Sequence, residues 1–164
     1  MTAHEEGLAR VPFWFLRHGE TDWNARNLSQ GNVDIPLNPT GLAQARSAAE
    51  LLRNRGVDTI VTSPLSRARV TAEIAAEALG CPVVVEDGLR ERAVAAVNRA
   101  TAHPPAVLIV AHGALFRALR SAMGLDPYVR TRNAVPFWCE PGADGAPWEL
   151  RPAVDGMAMT MANP

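Results

Sequence analysis

Four apolar runs, each only a few residues long, are each followed by a polar junction and then by apolar residues at helical spacing. The runs are Val11–Leu16, Thr59–Thr62, Pro82–Val85 and Val107–Ala111. Runs of this length read as buried strands, and strands alternating with helices require crossover connections. Asn38-Pro39 caps a first helix with Leu42, Ala45, Ala49 and Leu52 on one stripe, closed by Gly56. Ser63-Pro64 repeats the cap-plus-proline signal before Ala68, Ala72, Ala75 and Leu79, closed by Gly80 and Pro82. Glu91 to about Ala102 reads as helical, broken by His103-Pro104-Pro105, and Ala114–Met123 is a helix ending at Gly124. Weaker strands near Pro136–Glu140 and Trp148–Pro152 flank a turn at Gly142–Gly145, which suits an antiparallel edge. The fold class expected is α/β: a three-layer α/β/α sandwich with a mostly parallel, mixed sheet of about five or six strands. No repeat or linker is visible, so one domain over 1–164 with its core at about 11–152 is expected, with residues 1–10 frayed.

Charge narrows the function classes. The net charge is −1, which excludes a broadly basic nucleic-acid footprint but leaves room for a local cationic pocket. All 16 basic residues are arginine, so no mechanism that needs a lysine is open to this chain, whether Walker loop, Schiff base or kinase ion pair. Cys81 and Cys139 are far apart and form no metal-ligand spacing or disulfide framework. No apolar run approaches a membrane span, and Val11–Leu16 is too short for a signal-peptide core, so a cytoplasmic location is expected.

In an open α/β sheet the ligand site lies beyond the carboxyl ends of the strands. The four junctions there carry Arg17-His18-Gly19, Ser63-Pro64-Leu65-Ser66-Arg67, Glu86 to Glu91, and His112-Gly113. Two histidines, two arginines and a carboxylate therefore converge on one edge. Arginine forks suit phosphate oxygens, and helix N-termini after Ser63 and His112 favour an anion. A neutral imidazole can attack phosphorus, and a carboxylic acid can protonate the departing oxygen. No cofactor or metal is called for, since no carboxylate cluster has ligand spacing. Taken singly, each residue has a structural explanation: a histidine after a strand, a surface arginine, Glu91 as a first-turn helix residue, Asn24 closing a loop. Phe13, Trp14 and Phe15 read as packing, and Cys139 as buried and inert.

These residues also resemble a known family. Leu16-Arg17-His18-Gly19-Glu20-Thr21 with Trp23-Asn24, then Gln30-Gly31, Asp34, Pro36-Leu37, Gly41 and Gln44-Ala45, is similar to the opening of the histidine phosphatase superfamily, also called phosphoglycerate-mutase-like. Ser63-Pro64-Leu65-Ser66-Arg67-Ala68 with Thr71-Ala72, Leu89-Arg90-Glu91-Arg92, Val110-Ala111-His112-Gly113 and Asn133-Ala134 continue the resemblance over roughly 11–152. It implies that His18 attacks phosphorus and becomes phosphohistidine. It implies that Arg17, Arg67 and His112 bind the phosphoryl oxygens, and that Glu91 protonates the leaving group and then activates water. Asn24, Gln30 and Gly31 would line the pocket. The free nitrogen of His18 must be neutral, with the other donating to a carbonyl in the Gly19 region.

The sequence departs from the family in two places. Leu28 stands where many of the phosphatases carry an arginine, and Glu91 and His112 are only 21 positions apart, where larger members insert a helical lid. The Trp-Glu-Gly stretch after the acid is missing as well. Without a lid a mutase intermediate would be lost to water, so hydrolysis is favoured. The leading expectation is a metal-independent phosphatase acting on a phosphomonoester. The alternatives are a phosphoprotein (phosphohistidine) phosphatase with an open site, and a non-catalytic phosphate-ligand binding module. The partner expected is a phosphorylated small molecule or phosphoprotein, without nucleic acid or membrane; oligomeric state is not legible.

Overall fold

The computed structural model describes residues 7–90, 94–102 and 106–153. The strands are β1 (Phe13–Arg17), β2 (Thr59–Thr62), β3 (Val83–Val85), β4 (Val107–Ala111), β5 (Phe137–Glu140) and β6 (Glu149–Pro152). The helices are α1 (Asp22–Ala25), α2 (Pro39–Leu52), α3 (Ser66–Leu79), α4 (Val94–Thr101) and α5 (Gly113–Ala122). The strands form one sheet in the order β3-β2-β4-β1-β5-β6. β3, β2, β4 and β1 pair in parallel, while β5 and β6 add antiparallel. This is the mixed α/β sheet expected.

Side-chain alternation along the strands divides the core in two. Phe13, Phe15, Val61, Val107, Ile109, Phe137 and Cys139 pack on one face against α4 and α5 through Ala96, Val97, Leu115, Phe116 and Leu119. Trp14, Leu16, Ile60, Leu108 and Val110 pack on the other face against α2 and α3. That second layer is mostly alanine, with Ala48, Ala49, Ala68, Ala72 and Ala75 all buried. Small side chains let the two helices lie close to the sheet and to each other. Phe13, Trp14 and Phe15 are core residues, as expected.

Several local expectations are corrected. Asn38 does cap α2, its side chain accepting from the Gly41 N–H at 2.8 Å, but the helix ends at Leu52 rather than running to Gly56. Ser63-Pro64 does not start a helix: α3 begins at Ser66 with Leu65 as its N-cap. The reason is that the Ser63 hydroxyl is engaged elsewhere, within 2.7 Å of His112 Nε2. The polar stretch after β1 hides α1, which is closed by a reciprocal capping box between Thr21 and Asn24. Residues 7–10 are held rather than frayed. Asn98 on α4 accepts from the Ala9 N–H at 2.7 Å and donates to Gly7 O at 2.9 Å, and Arg10 donates to Gly142 O. Residues 91–93, where the fourth helix was expected to begin, lie outside the described residues; α4 is described from Val94.

Candidate active site

The parallel neighbours β1 and β4 hand the chain to opposite faces, β1 leading on to α2 and β4 to α5. A crevice opens at the carboxyl ends of two such strands. The ladder extends past both strand ends, with His18 N–H donating to Ala111 O at 3.1 Å and Ser63 N–H to Val110 O at 3.1 Å. Residues 18 and 63 are thereby fixed by backbone pairing, and His112 directly follows Ala111, the last residue of β4. The rings of His18 and His112 sit 5.3 Å apart. The cleft here has a volume of about 510 Å³ and is lined by Arg17, His18, Asn24, Gln30, Gly31, Arg67 and His112 among others. Seven of the eight expected site residues therefore meet in one place. The eighth, Glu91, lies outside the described residues, although its neighbour Arg90 lines the cleft.

His18 is only 2% exposed. Its Nδ1 donates to Gly19 O at 2.7 Å, since a carbonyl can only accept. Burial, then the charges of Arg17 and His112, hold its pKa well below the usual imidazole value. The ring is thus neutral with its lone pair on Nε2, which is the form a nucleophile needs. Its own carbonyl accepts from Asn133 Nδ2 at 2.9 Å, and the same amide reaches Asn24 Oδ1 at 3.3 Å. Gly19 packs its backbone against Gly41 so closely that a Cβ would run into the Gly41 carbonyl. The glycine after the histidine therefore lets α2 close under the site.

Arg67 is 2% exposed. Its Nη1 and Nη2 donate to Val33 O at 2.6 Å and Gly31 O at 2.8 Å, which ties the 28–34 loop to α3. Arg17 donates from Nη1 to Thr131 O at 2.8 Å. Its pKa is pushed down to about 10, by burial first and then by Arg130, Arg117 and Arg67. His112, 8% exposed, has its pKa lowered to about 3 by burial, then by Arg67 and Arg17. Its Nε2 meets the Ser63 hydroxyl, which also accepts from the Leu65 N–H at 3.3 Å. A hydroxyl can donate or accept, so Ser63 supports His112 with a proton on Nδ1 as well as on Nε2.

Buried polar atoms without partners are rare in native proteins and call for an explanation. Among the described residues they include Arg17 Nε, Arg67 Nε, His112 Nδ1 and Thr131 Oγ1, all from residues lining this cleft. No described acidic residue lines it, whereas Arg17, Arg67, Arg90, Arg117 and Arg130 do. The arrangement can surround an anion with fixed donors and present a neutral nitrogen beside it. Of the two helix N-termini expected to face the site, only that of α5 does, through Gly113 and Ala114; the Ser66 N–H that opens α3 donates to Asp34 at 2.7 Å instead. No group of three or more His, Cys, Asp or Glu placed to hold a metal exists among the described residues. Likewise no described helix is long and apolar enough to cross a membrane.

Sequence reasoning did not single out Ser63 as the partner of His112, nor Arg117, Arg130 and Thr131 as cleft residues. Arg117 had a signal, since it lies four residues after Gly113 on the same helix face. Arg130 and Thr131 had none, for they sit in the loop between α5 and β5.

The histidine pKa values give an expected titration. The unfolded chain takes up protons on these imidazoles near 6.5, and the native state does not until far lower. Their contribution to stability is therefore present above pH 6.5 and is lost as pH falls below it, for His112 down to about 3. The slope is about 1.4 kcal/mol per pH unit for each fully linked ring. An NMR titration should show both rings neutral from pH 8 to 5, with His18 protonated at Nδ1. Inorganic phosphate should raise both midpoints by pairing the surrounding cations. A midpoint near 6.5 in the free protein would contradict this electrostatic picture.

The family model for the histidine phosphatase superfamily (branch 1) matches residues 13–98, and the chain belongs to that superfamily. It is 53% identical over 77 residues to a Bacillus subtilis protein named uncharacterized phosphatase PhoE, an alignment covering 47% of this chain and 40% of that one. A Serratia proteamaculans protein named probable phosphoglycerate mutase GpmB is 46% identical over 78 residues, covering 48% of this chain and 36% of that one. The aligned segment thus spans well under two thirds of either relative. A solved mycobacterial glucosyl-3-phosphoglycerate phosphatase, in complex with VO3, superposes with a TM-score of 0.72 at 29% identity, covering 89% of this chain and 98% of that one.

Proposed function

We propose that this protein is a metal-independent phosphatase that hydrolyses a phosphomonoester through a phosphohistidine formed on His18. The observation that carries the reading is the convergence of unpartnered buried donors from Arg17, Arg67 and His112 around a neutral imidazole whose lone pair is left on Nε2. His18 Nε2 attacks phosphorus and the P–O bond to the leaving alcohol breaks. Arg17, Arg67 and His112 hold the three equatorial oxygens as negative charge spreads over them. Glu91 gives its proton to the departing oxygen, then takes one from the water that cleaves the P–N bond, regenerating free His18 and inorganic phosphate. Hydrolysis rather than phosphoryl return is favoured because only α4 and β4 are described between residue 91 and His112, too little chain for a covering lid.

The test is a leaving-group series in the presence of a chelator. Glu91→Gln should lower kcat/KM for alkyl phosphates by about 10²-fold or more, because a poor leaving group needs the proton. For p-nitrophenyl phosphate, whose phenolate leaves unaided, the loss in kcat/KM should be about tenfold at most. This parameter reports phosphoenzyme formation and is blind to the later water step. Equal losses across the series remove Glu91 from the acid role. Absence of turnover in the unsubstituted protein removes the phosphatase reading.

A further inference from the structure

Two imidazoles meet in the cleft, and the proposed reaction asks opposite things of them. His18 must offer a lone pair to phosphorus, whereas His112 must offer a hydrogen to a phosphoryl oxygen. Both rings are neutral, His112 because burial, then the charges of Arg67 and Arg17, lower its pKa to about 3. A neutral ring has one N–H, and the partner of the nitrogen facing away from the reaction decides which side carries it. For His18 that partner is the Gly19 carbonyl, which takes the hydrogen on Nδ1 and leaves the lone pair on Nε2. For His112 it is the Ser63 hydroxyl, 2.7 Å from Nε2.

With His112 alone this hydroxyl could serve either form of the ring; its other bond decides between them. A hydroxyl has one hydrogen and two lone pairs. The Leu65 N–H, 3.3 Å from the Ser63 oxygen, can only donate and occupies one lone pair. If His112 also donated from Nε2, the hydroxyl hydrogen would have no acceptor among the described residues. Ser63 is fully buried, and a buried donor without an acceptor is costly. With the hydroxyl donating to Nε2, both of its contacts are bonds of the right polarity, and the hydrogen of the ring lies on Nδ1. That nitrogen is buried without a protein partner, like Nε of Arg17 and of Arg67, and all three residues line the cleft. Ser63 itself does not line it.

We propose that Ser63 is a positioning residue whose hydroxyl donates to His112 Nε2, holding the hydrogen of that ring on Nδ1 as a donor to the phosphoryl oxygens. This rests on the phosphatase reading above for the seat of the phosphoryl group. Without Ser63, the ring is free to turn a second lone pair towards the anion, which repels it. The same side chain thus serves as nucleophile on one strand end and as donor on the next, according to what binds its far nitrogen.

The experiment reads the ring hydrogens directly, by 15N NMR of the histidine side chains in the ligand-free protein at pH 7, with His112→Asn to assign the signals. His112 should show a protonated Nδ1 and an unprotonated Nε2; a protonated Nε2 overturns the proposal. This spectrum needs no substitution at Ser63, so it decides even where a variant does not fold. In Ser63→Ala, His112 should become a mixture of both forms while His18 keeps its Nδ1 hydrogen. Inorganic phosphate should bind that variant about tenfold more weakly by calorimetry. An unchanged His112 spectrum or an unchanged phosphate affinity overturns the role. Ser63→Thr keeps a hydroxyl, so it should retain the Nδ1 form and bind phosphate more tightly than Ser63→Ala; a threonine variant no better than alanine overturns it too. Phosphate release from p-nitrophenyl phosphate by the unsubstituted protein is scored separately. Turnover with His112 protonated on Nε2 defeats the role of Ser63 alone; the Nδ1 form with phosphate binding but no turnover defeats the phosphatase reading alone.

Discussion

His18→Ala should reduce phosphate release from p-nitrophenyl phosphate by about 10⁴-fold or more, ~5 kcal/mol of barrier, while the protein stays folded. The size of the loss follows from removing the neutral imidazole nitrogen that is buried at the cleft and that the Nδ1 bond to Gly19 leaves unprotonated. No described cysteine can replace it, because Cys139 is buried in the core and burial pushes its thiol pKa up. The fold should survive because His18 is held through its backbone, by the ladder bond to Ala111 and the bond from Asn133 to its carbonyl. Alanine preserves both. The side-chain change leaves Gly19 O without its partner, a cost of about 1–3 kcal/mol, but it also removes a buried imidazole from a field of arginines. Circular dichroism and the thermal midpoint check the fold, and phosphate release checks the chemistry. A variant that keeps a tenth of the activity would take the nucleophile away from His18.

That substitution could be chosen from the sequence because the features that locate His18 are local. A short apolar run, a two-residue His-Gly junction and a helical stripe are each readable within a few positions. Their repetition at β1 and β4 places both histidines at strand ends even before the strand order is known. The strand order itself was not legible: nothing in 13–17 and 107–111 states that these two segments pair, and that pairing is what brings the rings to 5.3 Å. The tautomer of His18 was anticipated because the Gly19 carbonyl is a covalent neighbour. The partner of His112 was missed because Ser63 reads equally well as a helix cap, and only the fold shows its hydroxyl turned to the imidazole. Arg130 was missed for a related reason. An arginine in an aperiodic loop looks like a solvated surface group until Arg130 and Thr131 are seen lining the cleft.

Arg67→Ala should cost about 10²–10³-fold in kcat, ~3–4 kcal/mol, and should raise KM as well. Two effects combine, and a second substitution separates them. The guanidinium uses Nη1 and Nη2 to hold Val33 O and Gly31 O, so its removal frees the 28–34 loop that lines one wall. The same group keeps Nε buried with no protein partner, the condition for a donor whose bond is completed by a bound phosphoryl oxygen. Alanine loses both functions. Lysine keeps a positive charge but has no planar fork, so it cannot span two carbonyls and still direct a third N–H elsewhere. Arg67→Lys should therefore recover part of the loss in KM, which follows charge, and little of the loss in kcat, which follows donor placement in the transition state. The competing possibility is that Arg67 is a structural strut whose buried Nε has no ligand. In that case Arg67→Lys and Arg67→Ala would lower thermal stability alike, and vanadate or phosphate would bind each variant as tightly as the parent. Equal anion affinity in all three proteins would leave Arg67 as a fastener for the loop and require the phosphoryl clamp to be built from Arg17 and His112 alone.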